Sequence, residues 1–364
     1  MKTVFHPKAS ERVGVFIDLP QLSEIDNWKF KQNPAFITQR IAYEVFYLGL
    51  QQRRAELPFA TIEFYAYEPT GGSNLELPPD VVNPEGRRLR LVEDALAHLD
   101  IVLYFSTYSA TAPLTALARK MGFRGATMHG CNPIILQSGL AKDYEQVSLK
   151  AERFRQALTR CEEVLVEFET LGGTYRLTLQ LGGQEAQKSH GLCRTPGEIA
   201  NLPAGEIYWV PTGADGQFPM KLKEDGTLAL MEVSGGRIRD GRLLQGNAES
   251  LERALALFKE DPATGQLGEL GLGTQVLPVA GADIQDEKIL GTMHLATGRD
   301  DHLGGDLGLA RFKDKRHATH EDILFAPHKT PEIHLNGLWM RKDKQEVLLL
   351  KDYQPTDFVK QVAL

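Results

Sequence analysis

Short apolar runs recur through the first half of the chain, at residues 13–17, 61–67, 100–106 and 124–130, and each has the length of a strand. Between them apolar residues repeat at helical spacing: Ile41, Val45 and Leu48, then Leu91, Ala95 and Leu99, then Leu114, Leu117 and Met121. Strand, helix and strand in series imply parallel pairing through crossover helices, so residues 1–160 are predicted to form an α/β domain with a largely parallel sheet. No GxGxxG or GxxxxGK follows any of these strands, which leaves a nucleotide site without support.

A longer helix is predicted over residues 143–161, with Val147, Ala151, Phe154 and Leu158 on one stripe. Beyond it the period changes. Val164, Val166 and Phe168 alternate with polar residues, Leu171-Gly172-Gly173 turns the chain, and Tyr175, Leu177, Leu179 and Leu181 alternate again, which predicts a β-hairpin. Glycine-marked turns continue through Gly235, Gly236, Gly241 and Gly246, with one helix over residues 250–258. Residues 161–364 therefore read as a second, β-rich α+β domain.

Composition narrows the function. A chain of 364 residues exceeds what one core organises, and two domains agree with the change of period. The formal charge of -7 leaves no basic excess for a phosphate backbone, so nucleic acid is not an expected partner. No stretch reaches the ~20 apolar residues of a membrane span, and the first residues lack the apolar core of a secretory signal, so we expect no membrane partner and a cytoplasmic location. Cys131, Cys161 and Cys193 are widely spaced with no CxxC pair, as expected for reduced thiols. His190 and Cys193 supply half a zinc site at best.

Six of the ten histidines, His294, His302, His317, His320, His328 and His334, fall within residues 294–334, a stretch also rich in Asp and Glu. Imidazole and carboxylate together are the usual ligands of zinc, cobalt, manganese and non-haem iron. His302, His317, His328 and His334, taken singly, read as solvated polar residues. His294 has small and apolar neighbours, which suit a packed segment presenting one polar side chain inward. In an extended chain His320 and Asp322 point to the same side, so both could reach one ion. Glu206 and Glu269 stand in Gly- and Pro-rich surroundings that read as turns approaching a site. The five side chains come from four segments, enough for two ions sharing a bridging carboxylate.

The order Asn-Leu-Pro-x-Gly-Glu, Gly-Glu-Leu-Gly-x-Gly, Asp-Glu-Lys-x-x-Gly-Thr-x-His-x-Ala-x-Gly and His-x-Asp, over roughly residues 200–325, resembles the aminopeptidase T (leucyl aminopeptidase) family. The resemblance implies that Glu206, Glu269, His294, His320 and Asp322 hold a dinuclear centre of zinc, cobalt or manganese, with Glu269 as the bridge. It further implies an N-terminal peptide hydrolase acting on a peptide or small amide through metal-activated water, assembled as a homodimer. Asp286 and Glu287 match the family's Asp-Glu pair, with a role in supporting the histidine or as general base. The chain departs from the family at Asp301, where the characterised thermophilic enzymes carry a tyrosine. That difference bears on transition-state stabilisation and substrate preference rather than on the metal ligands. Two other readings stay open: a ring-cleaving dioxygenase with iron(II) on His294, His320 and Asp322, and a metal-binding module without turnover.

Overall fold

The strand Arg12–Asp18 is buried on both faces, as expected of a central strand in a covered parallel sheet. The computed structural model, which describes residues 1–364, pairs it in parallel with Thr61–Tyr67 on one side and Ile101–Phe105 on the other. Arg124–Thr127 and Ile199–Asn201 continue the parallel run, and two three-residue strands, Asp80–Val82 and Arg88–Arg90, add an antiparallel edge. Val13, Val15 and Ile17 fill one side of this seven-stranded sheet. Phe16 fills the other, its ring stacked 5.0 Å from Tyr65 and 4.5 Å from Tyr104.

The helical stripes are met in part: Val45 of the first is exposed, and the second is not one continuous helix. Helical turns run from Ile37 to Gln52, and the stripe at Leu91 to Leu99 becomes two short turns, Leu91–Ala95 and Leu96–His98. Thr111–Met121 is a full helix that stops at Gly122, whose φ of 86° lets its N–H turn back to the Ala118 carbonyl. This unit comprises Met1–Ser148, His190–Ala204 and Ala280–Gln285. The cysteines are free and buried throughout the chain.

The second unit comprises Leu149–Ser189, Gly205–Val279 and Asp286–Leu364. Its helix Tyr144–Leu158 begins in the first unit and places Phe154 and Leu158 in the second unit's core. The expected hairpin is present as Glu163–Thr170 and Gly173–Gln180, the centre of an eight-stranded antiparallel sheet. A five-stranded antiparallel sheet runs in the order His320–Phe325, Met293–Gly298, Leu267–Gly273, Glu206–Trp209, Gln187–Ser189. Alternation sorts its residues. Ile207, Leu270, Leu272, Met293, Leu295 and Phe325 join the apolar core, where Phe325 meets Phe168 of the larger sheet at 4.8 Å between ring centroids. The fold is thus mixed α/β, one sheet with a parallel core and two that are antiparallel. No helix is long and apolar enough to cross a membrane.

One local expectation is corrected. The segment Leu267–Gly273 is a fully buried strand and not a glycine-rich turn. Its glycines are required by close approach: a Cβ on Gly273 would lie 2.2 Å from the Ile289 carbonyl oxygen, and one on Gly268 would lie 2.8 Å from that of Gly298.

Candidate metal centre

The face of the five-stranded sheet opposite the apolar core carries the chemistry. Because side chains alternate, Glu206 on its strand, Glu269 and Gly271 on the next, His294, Ala296 and Gly298 on the third, and His320 and Asp322 on the fourth all share that face. Register then arranges them in rows. Gly271 pairs with His294, Ala296 stands between Glu269 and Asp322, and Gly298 pairs with His320. Each large ligand-type side chain thus has a small residue beside it, which leaves room above the sheet.

The five residues singled out in the sequence converge. Their ligand atoms form overlapping groups whose members lie within 4.8 Å of one another: Glu206, Glu269 and His294; then Glu269, His320 and Asp322; and also Glu287, His294 and Asp322. Glu269 belongs to the first two groups, with Oε1 3.4 Å from His294 Nε2 and Oε2 3.0 Å from His320 Nε2. The side chains of Glu206, Glu269, His294 and His320 are at most 7% exposed, whereas Asp322 is 29% exposed and marks where the cluster reaches solvent. Asp322 also borders a cavity of about 280 Å³, lined further by Glu321, Ile323, Met220 and Phe258.

The electrostatics favour positive charge. Burial alone would lower the pKa of the His320 imidazole, but Asp322 and Glu269 reverse this and hold it well above the ordinary value. His294 is raised likewise, against burial, by Glu269 and further by Glu287 and Glu206. Glu269 in turn is held low, because the bonds from the two imidazoles outweigh its own desolvation. Glu287 is pushed up by burial and by the carboxylates of Asp322 and Glu206, although Lys288 pulls it the other way. His320 Nδ1 lies 2.6 Å from the Arg299 carbonyl and can only donate there, which leaves Nε2 facing the cluster.

Two observations show that the donor set fits a divalent ion. Glu206 Oε2 is buried with no hydrogen-bond partner, 3.8 Å from His294 Nε2, and so keeps a lone pair open toward the cluster. The imidazole and carboxylate donors, gathered from four strands, are also the ligand types that zinc, manganese, cobalt and iron(II) accept.

The other candidates divide. The Glu287 carboxylate joins the cluster, and Asp286 accepts a bond from His328 at 3.1 Å. His302 is not solvated, as its side chain is 5% exposed and its ring meets His320 edge-on at 5.0 Å. His317 is half-buried against Asp261, whereas His328 and His334 are exposed, His328 with its ring against Asp286. Asp301 binds Arg299 at 2.8 Å and faces His302 at 3.8 Å. The residue that sequence reasoning missed is Lys288. Its ammonium, 1% exposed, reaches Glu206 Oε1 at 2.6 Å and also bonds Glu287 Oε1. Its place between the Asp-Glu pair and His294 was the available signal.

Fold and site together define a mixed α/β protein with a buried carboxylate and imidazole centre able to hold metal. No protein-family model matches the sequence, and no curated protein matches it. Among solved structures the chain is similar to 2,5-dihydroxypyridine dioxygenase from Pseudomonas putida KT2440, at 13% identity and a TM-score of 0.62, over 96% of this chain and 93% of that one. It is also similar to wild-type AmpT from Thermus thermophilus, at 13% identity and a TM-score of 0.56, over 98% of this chain and 96% of that one. At such identity the likeness shows the fold alone.

Proposed function

We propose that the protein is a metal-dependent hydrolase of the aminopeptidase kind, removing N-terminal residues from peptides or small amides. The observation that carries this reading is Glu269, whose two oxygens turn toward two different imidazoles. A carboxylate so disposed is suited to bridge two ions of zinc, cobalt or manganese, with Glu206 and His294 on one side and His320 and Asp322 on the other. The likeness to AmpT, an aminopeptidase T by name, is in keeping with this.

A bound divalent ion would lower the pKa of a water from 15.7 toward about 7 and polarise the scissile carbonyl. The chain's own residues prepare that position. The Arg299 carbonyl fixes the His320 tautomer, and His302 sets the plane of its ring. Glu287 and Asp286 act as supports, Glu287 beside His294 and Asp322, Asp286 through His328. We read the assembly as a homodimer, in line with the prevalence of twofold assemblies.

A second reading, an iron(II) ring-cleaving dioxygenase on His294, His320 and Asp322, draws support from the likeness to the Pseudomonas enzyme. Such a site uses two histidines and one carboxylate. It leaves Glu206 and Glu269 without a task, although both point into the cluster. An anaerobic panel of aminoacyl anilides with added cobalt, zinc or manganese, run beside iron(II)-dependent oxygen uptake on dihydroxypyridines, separates the two. Anilide cleavage without oxygen is expected; oxygen uptake with no anilide cleaved under any metal would overturn the hydrolase.

A further inference from the structure

Lys288 is a buried cation inside a cluster built for cations. A lysine keeps its charge at such depth only where neighbouring carboxylates offset the loss of water. Here they do: the ammonium, 1% exposed, lies against Glu206 Oε1 and Glu287 Oε1. The two oxygens of Glu206 consequently have different partners. Oε1 is committed to the ammonium at 2.6 Å, and Oε2, with no hydrogen-bond partner, faces His294. The structure shows no such bond from Glu269, His320 or Asp322 to Lys288; His320 joins Glu269 and Asp322, and Glu269 also faces His294.

We propose that Lys288 is a fixed cation built into the metal centre, which makes its two metal positions unequal. The ion held by Glu269, His320 and Asp322 binds first and tightly. The ion held by Glu206, Glu269 and His294 binds second and exchanges readily, because it shares the Glu206 carboxylate with an ammonium that repels it. The inference rests on the two-position reading above. It concerns the order and strength of loading, so it stands or falls separately from the reaction catalysed.

The test is a zinc titration of the chelator-stripped full-length chain against a chromophoric competitor, with elemental analysis and thermal melting with and without zinc. Wild type is compared with Lys288→Met and Lys288→Gln. Two dissociation constants at least about tenfold apart are expected for wild type. Lys288→Met should tighten the weaker one by about 10- to 100-fold, the range through which groups behind a ligand tune metal affinity, and leave the stronger one unchanged. The metal-free variant should melt below wild type, since Glu206 and Glu287 lose their counter-charge, and zinc should close most of that gap. A lysine of merely structural importance would lower both melting temperatures alike.

Lys288→Gln retains hydrogen bonding without the charge and should shift the weaker constant the same way, which keeps the proposal testable if the methionine variant misfolds. A weaker constant that worsens or stays put in both variants overturns the inference while leaving the two-ion reading intact. A wild-type chain that binds one ion, with a second gained in Lys288→Met, supports the inference and removes the native two-ion reading. A chain that binds no ion in any form removes both.

Discussion

A methyl group on Gly271 would lie 2.0 Å from Cε1 and 2.2 Å from Nε2 of His294, so the imidazole rests directly over bare backbone on the neighbouring strand. Gly271→Ala should therefore push the ring out of the cluster and weaken metal binding at Glu206, Glu269 and His294. The cost in stability should be about 1–3 kcal/mol, as for other overpacked sites. Gly273→Ala provides the contrast, because its Cβ meets the Ile289 backbone carbonyl and not a side chain that can swing away. Circular dichroism melts should find Gly273→Ala the less stable, with elemental analysis showing the larger metal loss relative to folded protein in Gly271→Ala.

Glu269→Gln removes one charge and replaces one of two ligand oxygens with an amide nitrogen that cannot ligate a cation. Loss of both ions and of anilide turnover is expected, each by about 100-fold or more, with the far-ultraviolet spectrum unchanged. Retention of full metal content would remove Glu269 from its proposed bridging role.

His302→Ala removes the ring that meets His320 edge-on. Freed to rotate, His320 should lose about tenfold in metal affinity. His334→Ala, on an exposed strand position, serves as the control and should leave affinity unchanged. Equal affinities in the two variants would show that the packing of His302 has no influence on the ligand.

In the first unit, Arg124 grips Glu11 with two bonds of 2.7 and 2.9 Å, the side chains being 6% and 10% exposed. Burial pushes the Glu11 pKa up, but the Arg124 bonds and the Lys8 N–H more than compensate, and the net shift is downward. The sign follows: a carboxylate with a depressed folded-state pKa contributes stability that is fully present above the unfolded value, about 4.3, and lost as pH falls through the folded one. Glu11→Gln should lower stability at pH 7 by about 3 kcal/mol, since it leaves Arg124 buried without its counter-charge. The difference between wild type and variant in urea titrations should shrink as pH drops below 4.

The metal-type residues were legible because the chemistry of His-x-Asp and of isolated glutamates survives without knowledge of the fold. Their convergence was not legible. It depends on strand register, which pairs Gly271 with His294 and Ala296 with Asp322 and leaves no mark in a single sequence. The segment Leu267–Gly273 alternates only from Glu269 onward, its three glycines and one Glu mimic turn composition, and only the ring of His294 and the carbonyls of Ile289 and Gly298 explain the glycines. The edge strands Asp80–Val82 and Arg88–Arg90 are too short to display a period. His302 looked solvated because its neighbours are polar, yet Asp301 and Arg299 pair with each other and its ring turns inward. Lys288 stands in the Asp-Glu-Lys pattern without a legible role, because a lysine beside two acids ordinarily reads as surface.

The strands bearing His294 and His320 are neighbours, yet the chain between them, residues 299–319, wanders through three brief helical turns before it returns. Strand pairing alone would need only a few residues for that reversal. The ligand-type residues are thus held by the ladder, with Arg299 and His302 at the start of the excursion steadying His320, and the remainder of the excursion makes no such contact. On the function proposed above, the residues that would hold metal and those free to meet a substrate would in this way lie in separate parts of the polypeptide. A foreign excursion grafted between His302 and His320 should therefore leave metal affinity unchanged while altering any substrate preference the protein has.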